Sequence, residues 1–405
     1  MSARTNSALS RFARKHGFDQ YADLHAWSIA DLDRFWTEAT EFLGVRWHDY
    51  PSRALGDHAM PSLAWFPGGT LNYAEHALAR AEGAPHDIAV VEHSQTRSPR
   101  TLTWAQLADQ VARCAAGLEA RGVTRNDRVA SYCPNIIETL VSFLATATLG
   151  ATWSSCAPEF GPKAVIDRFS QFEPTVLLHV DGYRYGTKEV DRRVESADVI
   201  DALPSLRTTI GVQYLGTGLD EWSSLIGEQR HDGFTAVDYS TPLYVLYSSG
   251  TTGLPKPIVH SHVGITVEHL VSQALHANHS PEERLFWFTT TGWMMWNFLV
   301  SALLTGASIV LFDGDPATPD LNTLWDVAER SQATVFGASA GFFMNCRKID
   351  LLPRRGHVWQ VGSTGAPLPR EGFEWIVDVP GSDGIVNSTS GGTDICSSFV
   401  CWNPM

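Results

Sequence analysis

The stretch PLYVLY-SSGTTGLPKP, residues 242–257, runs from a strand-forming hexapeptide straight into hydroxyls, glycines and a lysine. Ser248, Ser249, Thr251 and Thr252 supply four hydroxyls, Gly250 and Gly253 open the backbone, and Lys256 adds a charge. A surface turn does not need so many hydroxyls, and a core does not tolerate them. Glycines let backbone N–H groups approach an anion, hydroxyls donate further hydrogen bonds, and lysine supplies charge. The loop therefore suits a polyphosphate. It does not have the order G-x-x-x-x-G-K-[ST], because Leu-Pro-Lys follows Gly253.

Downstream of this loop, TVEHLVSQALHA reads as a helix, ERLFWFTT as a strand and MMWNFLVSALLTG as a helix. SIVLF, LNTLWDVAERS and ATVFGAS continue as strand, helix and strand. HVWQVGSTGAPLP and GIVNSTSGGTDICSSF repeat the habit of a strand followed by a small polar loop. Upstream, DIAVVEH, DRVASYC, ATWSSC and TVLLHV are strands separated by amphipathic or apolar helices. Alternation of this kind implies βαβ units and a mainly parallel sheet. The fold class is α/β. Residues 181–240 are polar and broken by glycine, which predicts a connecting region. Residues 1–85 read as a helical N-terminal segment, and 86–405 as the main domain. Ligands of open α/β sheets bind beyond the carboxyl ends of strands, and four such ends, near 248, 290, 362 and 388, carry Gly, Ser, Thr or Trp.

The 405 residues carry 30 Lys and Arg against 44 Asp and Glu, a net charge of −14. That balance argues against a general nucleic-acid binder, which needs a clustered basic face. Cys114, Cys133, Cys156, Cys346, Cys396 and Cys401 form no CxxC pair and are expected as reduced, structural thiols. No HExxH or EF-hand spacing occurs, so no dedicated zinc or calcium site is expected. His260 and His262 are expected to be structural. The N-terminus has basic residues without an apolar region behind them, and the apolar stretches fall short of the roughly 18–20 residues that span a bilayer. A cytoplasmic protein without a membrane partner is expected.

YSSGTTGLPKP resembles the phosphate-binding signature of the adenylate-forming superfamily, which holds acyl-CoA synthetases, luciferases and adenylation domains of peptide synthetases. TTTGWMMWNF (289–298) is similar to the motif beside the acyl pocket, GSTGAPLP (362–369) to the loop along adenine, and STSGGTDI (388–395) to the acid-bearing motif. WFPGGTLNYAEHAL resembles the start of the acetyl-CoA synthetase branch. With YCPNIIE, SSCAPEFG and VDGYRYGTKE, the chain from about residue 20 to 399 most closely resembles the acetoacetyl-CoA synthetases.

The resemblance implies an adenylate-forming large domain with stacked sheets, and ATP-dependent activation of acetoacetate followed by thioester formation with coenzyme A. It implies that Ser248, Ser249, Gly250, Thr251, Thr252, Gly253 and Lys256 surround the β- and γ-phosphates. Gly365, Ala366 and Pro367 would line adenine, Thr393 would meet the α-phosphate, and Asp394 would sit at Mg²⁺. Asp394 stands where most relatives carry Glu, one methylene longer. Arg184 and Lys188 fall in a loop resembling the one that takes the coenzyme A phosphates. Acetyl-CoA synthetases carry a bulky Trp in the acid-bearing motif. Here Gly391 and Gly392 stand before Thr393, leaving room for a longer acyl group, with Ser390 available to a 3-oxo group and Trp293, Met294 and Met295 as the opposite wall.

Family members continue past the acid-bearing motif with a ribose-binding aspartate, a hinge and a mobile domain bearing a catalytic lysine. A complementing C-terminal fragment is therefore an expected partner, and a non-catalytic nucleotide or acyl-adenylate binder is the alternative. A second alternative comes from FGASAG, where Gly337 to Gly341 match G-x-S-x-G around Ser339. That is the nucleophile-elbow pattern of α/β-hydrolases, with Asp350 and His357 following in the required order.

Overall fold

The computed structural model describes residues 6–57, 60, 63–218, 220–248, 253–354, 356–379 and 384–405. In chain order its strands are β1 (Ile88–Ser94), β2 (Arg100–Thr103), β3 (Arg128–Tyr132), β4 (Thr152–Cys156), β5 (Val176–Val180), β6 (Gly182–Tyr185), β7 (Lys188–Asp191), β8 (Thr208–Val212) and β9 (Pro242–Ser248). There follow β10 (Lys256–Ser261), β11 (Arg284–Trp287), β12 (Ser308–Asp313), β13 (Val335–Ser339), β14 (Gln360–Thr364), β15 (Ile385–Ser388), β16 (Ser390–Gly392) and β17 (Ser397–Val400). One sheet has the order β15-β14-β13-β11-β12-β1-β2, and the other β10-β9-β4-β3-β5-β8. Both are parallel except at one edge, where β2 and β10 run antiparallel to their neighbours.

The α/β rhythm that runs twice along the sequence does not map one run to one sheet. β1 pairs with β12, more than two hundred positions later, and β9 pairs with β4 of the early run. Local pattern specifies that a strand exists, while its neighbour depends on long-range burial. Residues 181–240 are more than a connection, because they hold the β6–β7 hairpin, the helix Arg193–Asp201 and the edge strand β8. β2 and β10 were likewise hidden by their polar content, which an edge strand with one solvated face tolerates.

The helix Ile137–Thr148 is buried at every position. It lies in a core shared by both sheets, so the apolar residues that circle it all find partners. Phe143 sits at its middle, 5.5 Å from Tyr73, 5.9 Å from Trp153, 6.1 Å from Tyr244 and 5.7 Å from Trp296, between ring centroids. The buried carboxylate of Glu92 on β1 accepts the Ile137 N–H at 2.7 Å, closing the start of this helix. Arg97 and Arg100 pair with both Glu92 and Glu138, which satisfies charges that would otherwise be costly in the interior. Separate cores cover the outer faces of the two sheets. The N-terminal helices Ala8–Lys15, Tyr21–Ala30 and Leu32–Phe42 pack around Phe12 and against Val271 and Leu275. Among the described residues no helix is long and apolar enough to cross a membrane.

Candidate active site

β9 and β10 form a hairpin whose tip is the glycine- and hydroxyl-rich loop. Lys256 lies directly across from Ser248 in the pairing register. Ser249, Gly250, Thr251 and Thr252 lie outside the described residues. Gly253 and Lys256 are exposed, and the next helix begins only at His262, after β10. The loop thus leads into a strand rather than into the N-terminus of a helix.

The acid-bearing segment is the β16–β17 hairpin, and hydrogen bonds fasten it to β10 and to the helix His262–Leu270 that follows β10. The Thr393 carbonyl accepts from His260 Nε2 at 3.0 Å and from the Cys396 N–H at 3.2 Å. Burial lowers the pKa of His260, which keeps the imidazole neutral with its proton on Nε2. The Cys396 carbonyl accepts from His269 Nε2 at 2.8 Å, and Ser397 Oγ donates to Glu268 at 2.6 Å. His260 and His269 thus act as struts for the hairpin. Asp394 is exposed beside Thr393. Among the described residues no group of three or more His, Cys, Asp or Glu could hold a metal ion. A single carboxylate fits Mg²⁺, which keeps several waters and takes its other ligands from phosphates.

Thr364 Oγ1 donates to the Thr389 carbonyl at 2.9 Å, and the Thr389 N–H to Ser363 at 2.8 Å, so the loops after β14 and β15 are stitched together. Gly365 has φ +87°, a conformation that favours glycine. Ala366 and Pro367 follow it on the exposed rim.

Between these loops opens a cavity of about 510 Å³. Trp293, Met294 and Met295 line one wall, and Gly365, Gly391, Gly392 and Thr393 another. Gly292 admits this arrangement, because a Cβ there would come within 2.7 Å of the Phe160 ring. The 289–296 segment is held by Thr291 Oγ1 donating to the Cys133 carbonyl at 2.7 Å and by Trp296 Nε1 donating to Asn135 at 2.9 Å. Ser390 is exposed on the outer arm of the hairpin, across from Val400, and does not line the cavity. A Cβ on Gly391 would run into the Ser397 carbonyl and come 2.8 Å from Ser398 Cα, whereas Gly392 faces open space. An indole at 391 would therefore require β17 to move.

A second cavity, about 250 Å³, shares Phe288, Thr289, Thr290 and Trp293 with the first. Its far wall carries Glu159, Tyr185 and Asp313. Burial pushes the Asp313 carboxyl up to about 7, against a hydrogen bond from Tyr214 Oη at 2.8 Å. Burial raises Glu159 as well. Arg184 and Lys188 flank Tyr185 on the β6–β7 hairpin, lining neither cavity; Arg184 is paired with Glu189, and Lys188 is exposed. Sequence inspection did not single out Glu159, Asp313, Trp287 or His279. For Trp287, Asp313 and Glu159 the available signal was a position at or shortly after a strand end, whereas His279, in the loop after the helical turn ending at His276, gave none.

The hydrolase alternative fails on geometry. Ser339 accepts the Phe342 N–H at 3.2 Å and caps the helix Ala340–Lys348. His357 lies with Thr334 at the opposite end of β13, in a different depression. Five strand residues, roughly 16 Å, separate the two ends.

The AMP-binding enzyme family model matches residues 78–404, and the acetyl-coenzyme A synthetase N-terminus model matches 21–77. The chain is 37% identical to the acetoacetyl-coenzyme A synthetase of Rhizobium meliloti over 98% of this chain and 62% of that protein. It is 36% identical to the acetoacetyl-CoA synthetase of Rattus norvegicus over 95% of this chain and 60% of that one. A solved structure, acetoacetyl-CoA synthetase from Streptomyces lividans, superposes with a TM-score of 0.95 at 47% identity, covering 99% of this chain and 65% of the other. The chain thus spans between three fifths and two thirds of the length of these relatives. With the loops, the hairpin and the cavity in the order described, the chain belongs to the AMP-binding enzyme family.

Proposed function

We propose that this chain forms the substrate-binding portion of an acetoacetate–CoA ligase. One observation carries the reading: a cavity between the 289–298 segment and Gly391–Thr393, with Thr393 bonded to His260 of β10, in a chain similar throughout to proteins named acetoacetyl-CoA synthetase. A carboxylate held in the cavity would attack the α-phosphorus of ATP, and the bond to the pyrophosphate oxygen would break. Ser248, Lys256 and the loop hydroxyls would hold the leaving pyrophosphate, and Thr393 the α-phosphate. Asp394 would hold Mg²⁺, which neutralises charge on the phosphates. The coenzyme A sulfur would then attack the acyl carbon and AMP would depart. The second cavity reaches the same Thr289–Trp293 segment from the β6–β7 side and supports that route for the thiol. Positioning supplies much of the rate in such a reaction.

The test is acetoacetate-dependent exchange of pyrophosphate into ATP, with acetate and butyrate alongside. Exchange that favours acetoacetate supports the reading. Nucleotide binding without exchange on any acid would make the chain a binder, and no nucleotide binding would refute the site.

A further inference from the structure

A third depression, about 560 Å³, opens at the starts of β1, β11, β12 and β13, and it shares no lining residue with the two cavities of the candidate active site. Arg284, the first residue of β11, lies across from Ser308, the first of β12, in the parallel register. Its Nε donates to Ser308 Oγ at 3.0 Å. Its Nη1 donates at 2.6 Å to the carbonyl of Ser331, which closes the helix Thr323–Arg330. A cation at a helix C-terminus suits the dipole and satisfies a carbonyl that the helix leaves free. That structural duty fixes the guanidinium plane and uses Nε and Nη1. The two Nη2 donors have no acceptor in the protein and open into the depression. Among the described residues no carboxylate pairs with Arg284, and burial lowers its pKa with no neighbouring charge to offset the effect.

The acids that share the depression are already engaged. Asp87 pairs with Arg80 at 2.6 Å. A hydrogen bond from Ser280 lowers the pKa of Glu282, and Arg80 adds to the effect. Glu283 accepts from Trp359 Nε1 at 2.8 Å and from Thr334 Oγ1. Burial raises its pKa, which favours the neutral form and weakens its repulsion of an incoming anion. Gln332 follows directly on the carbonyl that Arg284 holds, and its exposed side chain lines the same depression. A half-buried cation without a counter-ion is unfavourable, and an anion that reaches it restores the balance. A carboxylate or phosphate does so with oxygens spaced to meet guanidinium N–H groups, which a chloride ion cannot match.

We propose that this depression is a second anion site, separate from the phosphate loop, in which Arg284 Nη2 donates to a small oxyanion, a carboxylate or a phosphate. The inference does not depend on the ligase reading. Inorganic phosphate and acetate are each titrated into the protein by calorimetry, with and without saturating ATP, at an ionic strength held constant with sodium chloride. A Kd on the order of 1 mM is expected for two charge-assisted hydrogen bonds to a prearranged donor, and ATP should leave it unchanged. Tighter binding of phosphate assigns the site to phosphate-bearing ligands, and tighter binding of acetate to carboxylates. Arg284→Gln should weaken binding about tenfold or more. Gln332→Glu, which adds a like charge on the exposed lip, should weaken it about threefold or more, and it carries the test if the first variant does not fold. Binding of neither anion, or binding unchanged in both variants, overturns the site. Binding that ATP abolishes belongs to the phosphate loop and overturns it as well.

Discussion

Replacing Asp181 with Asn should loosen the wall behind the second cavity. Asp181 follows β5, and its carboxylate is enclosed by a turn of backbone amides. Oδ1 accepts from the Tyr214 and Leu215 N–H groups, both at 2.7 Å. Oδ2 accepts from Gly216 at 2.9 Å, Thr217 at 2.8 Å and Gly218 at 2.9 Å. Burial alone would raise this carboxyl's pKa, but the amides outweigh it and the pKa is lowered. An asparagine has one acceptor oxygen. Even with that oxygen turned to the three amides, Tyr214 and Leu215 would face an NH₂ group. Two lost bonds at about 1 kcal/mol each, plus the lost charge, give roughly 2–3 kcal/mol. A chain of this size need not unfold in one step, so the readout is amide hydrogen exchange at residues 214–218. Exchange there should quicken by roughly 30- to 150-fold. A pKa lowered in the folded state contributes stability above the unfolded value, lost as pH falls through the folded one. The difference between the two proteins should therefore shrink on acidification below about pH 4. A change under threefold at these amides, or one that does not vary with pH, would refute the account.

Asp313 carries the opposite sign. Its folded pKa, pushed up to about 7, lies above the ordinary carboxylate value, so the folded state holds the proton more tightly and stability falls as pH rises between about 4 and 7. Asp313→Asn should gain on the parent by a few kcal/mol, order of magnitude, between pH 5 and pH 8, measured as the difference in Tm at the two values. Gly391→Ala should lower stability by about 2 kcal/mol or more through its clash with Ser397, while Gly392→Ala stays within about 0.5 kcal/mol; equal Tm for the two variants would contradict the hairpin geometry. Gly362→Ala should displace Trp287 and shift its fluorescence, because a Cβ at 362 would run into the ring, and an unchanged spectrum would count against that close approach. Lys256→Ala should weaken ATP binding about tenfold or more and flatten its salt dependence, without a change in Tm.

The sequence by itself determined the α/β class, the long helices and most central strands. These are local patterns: five or six apolar residues, a turn, then a helical period. It also picked out the polar loop at 248–256, because hydroxyls, glycines and charge after a strand have few structural uses, while Asp394 stood out only through the family resemblance. The polar edge strands β2, β8 and β10 escaped, since one buried face leaves a weak periodic signal. Only the tertiary structure decided that β1 joins β12 while β9 joins β4, which fits one wholly buried helix between two sheets. It alone set Ser390 outside the cavity and Gly391 against Ser397, because both follow from the register of β16 on β17. It also brought His279 beside Gln360, more than eighty residues later in the chain, in the lining of one cavity. A histidine's chemistry is set by which nitrogen is already paired, and here Gln273 and the helix behind it make that choice through contacts no local pattern encodes.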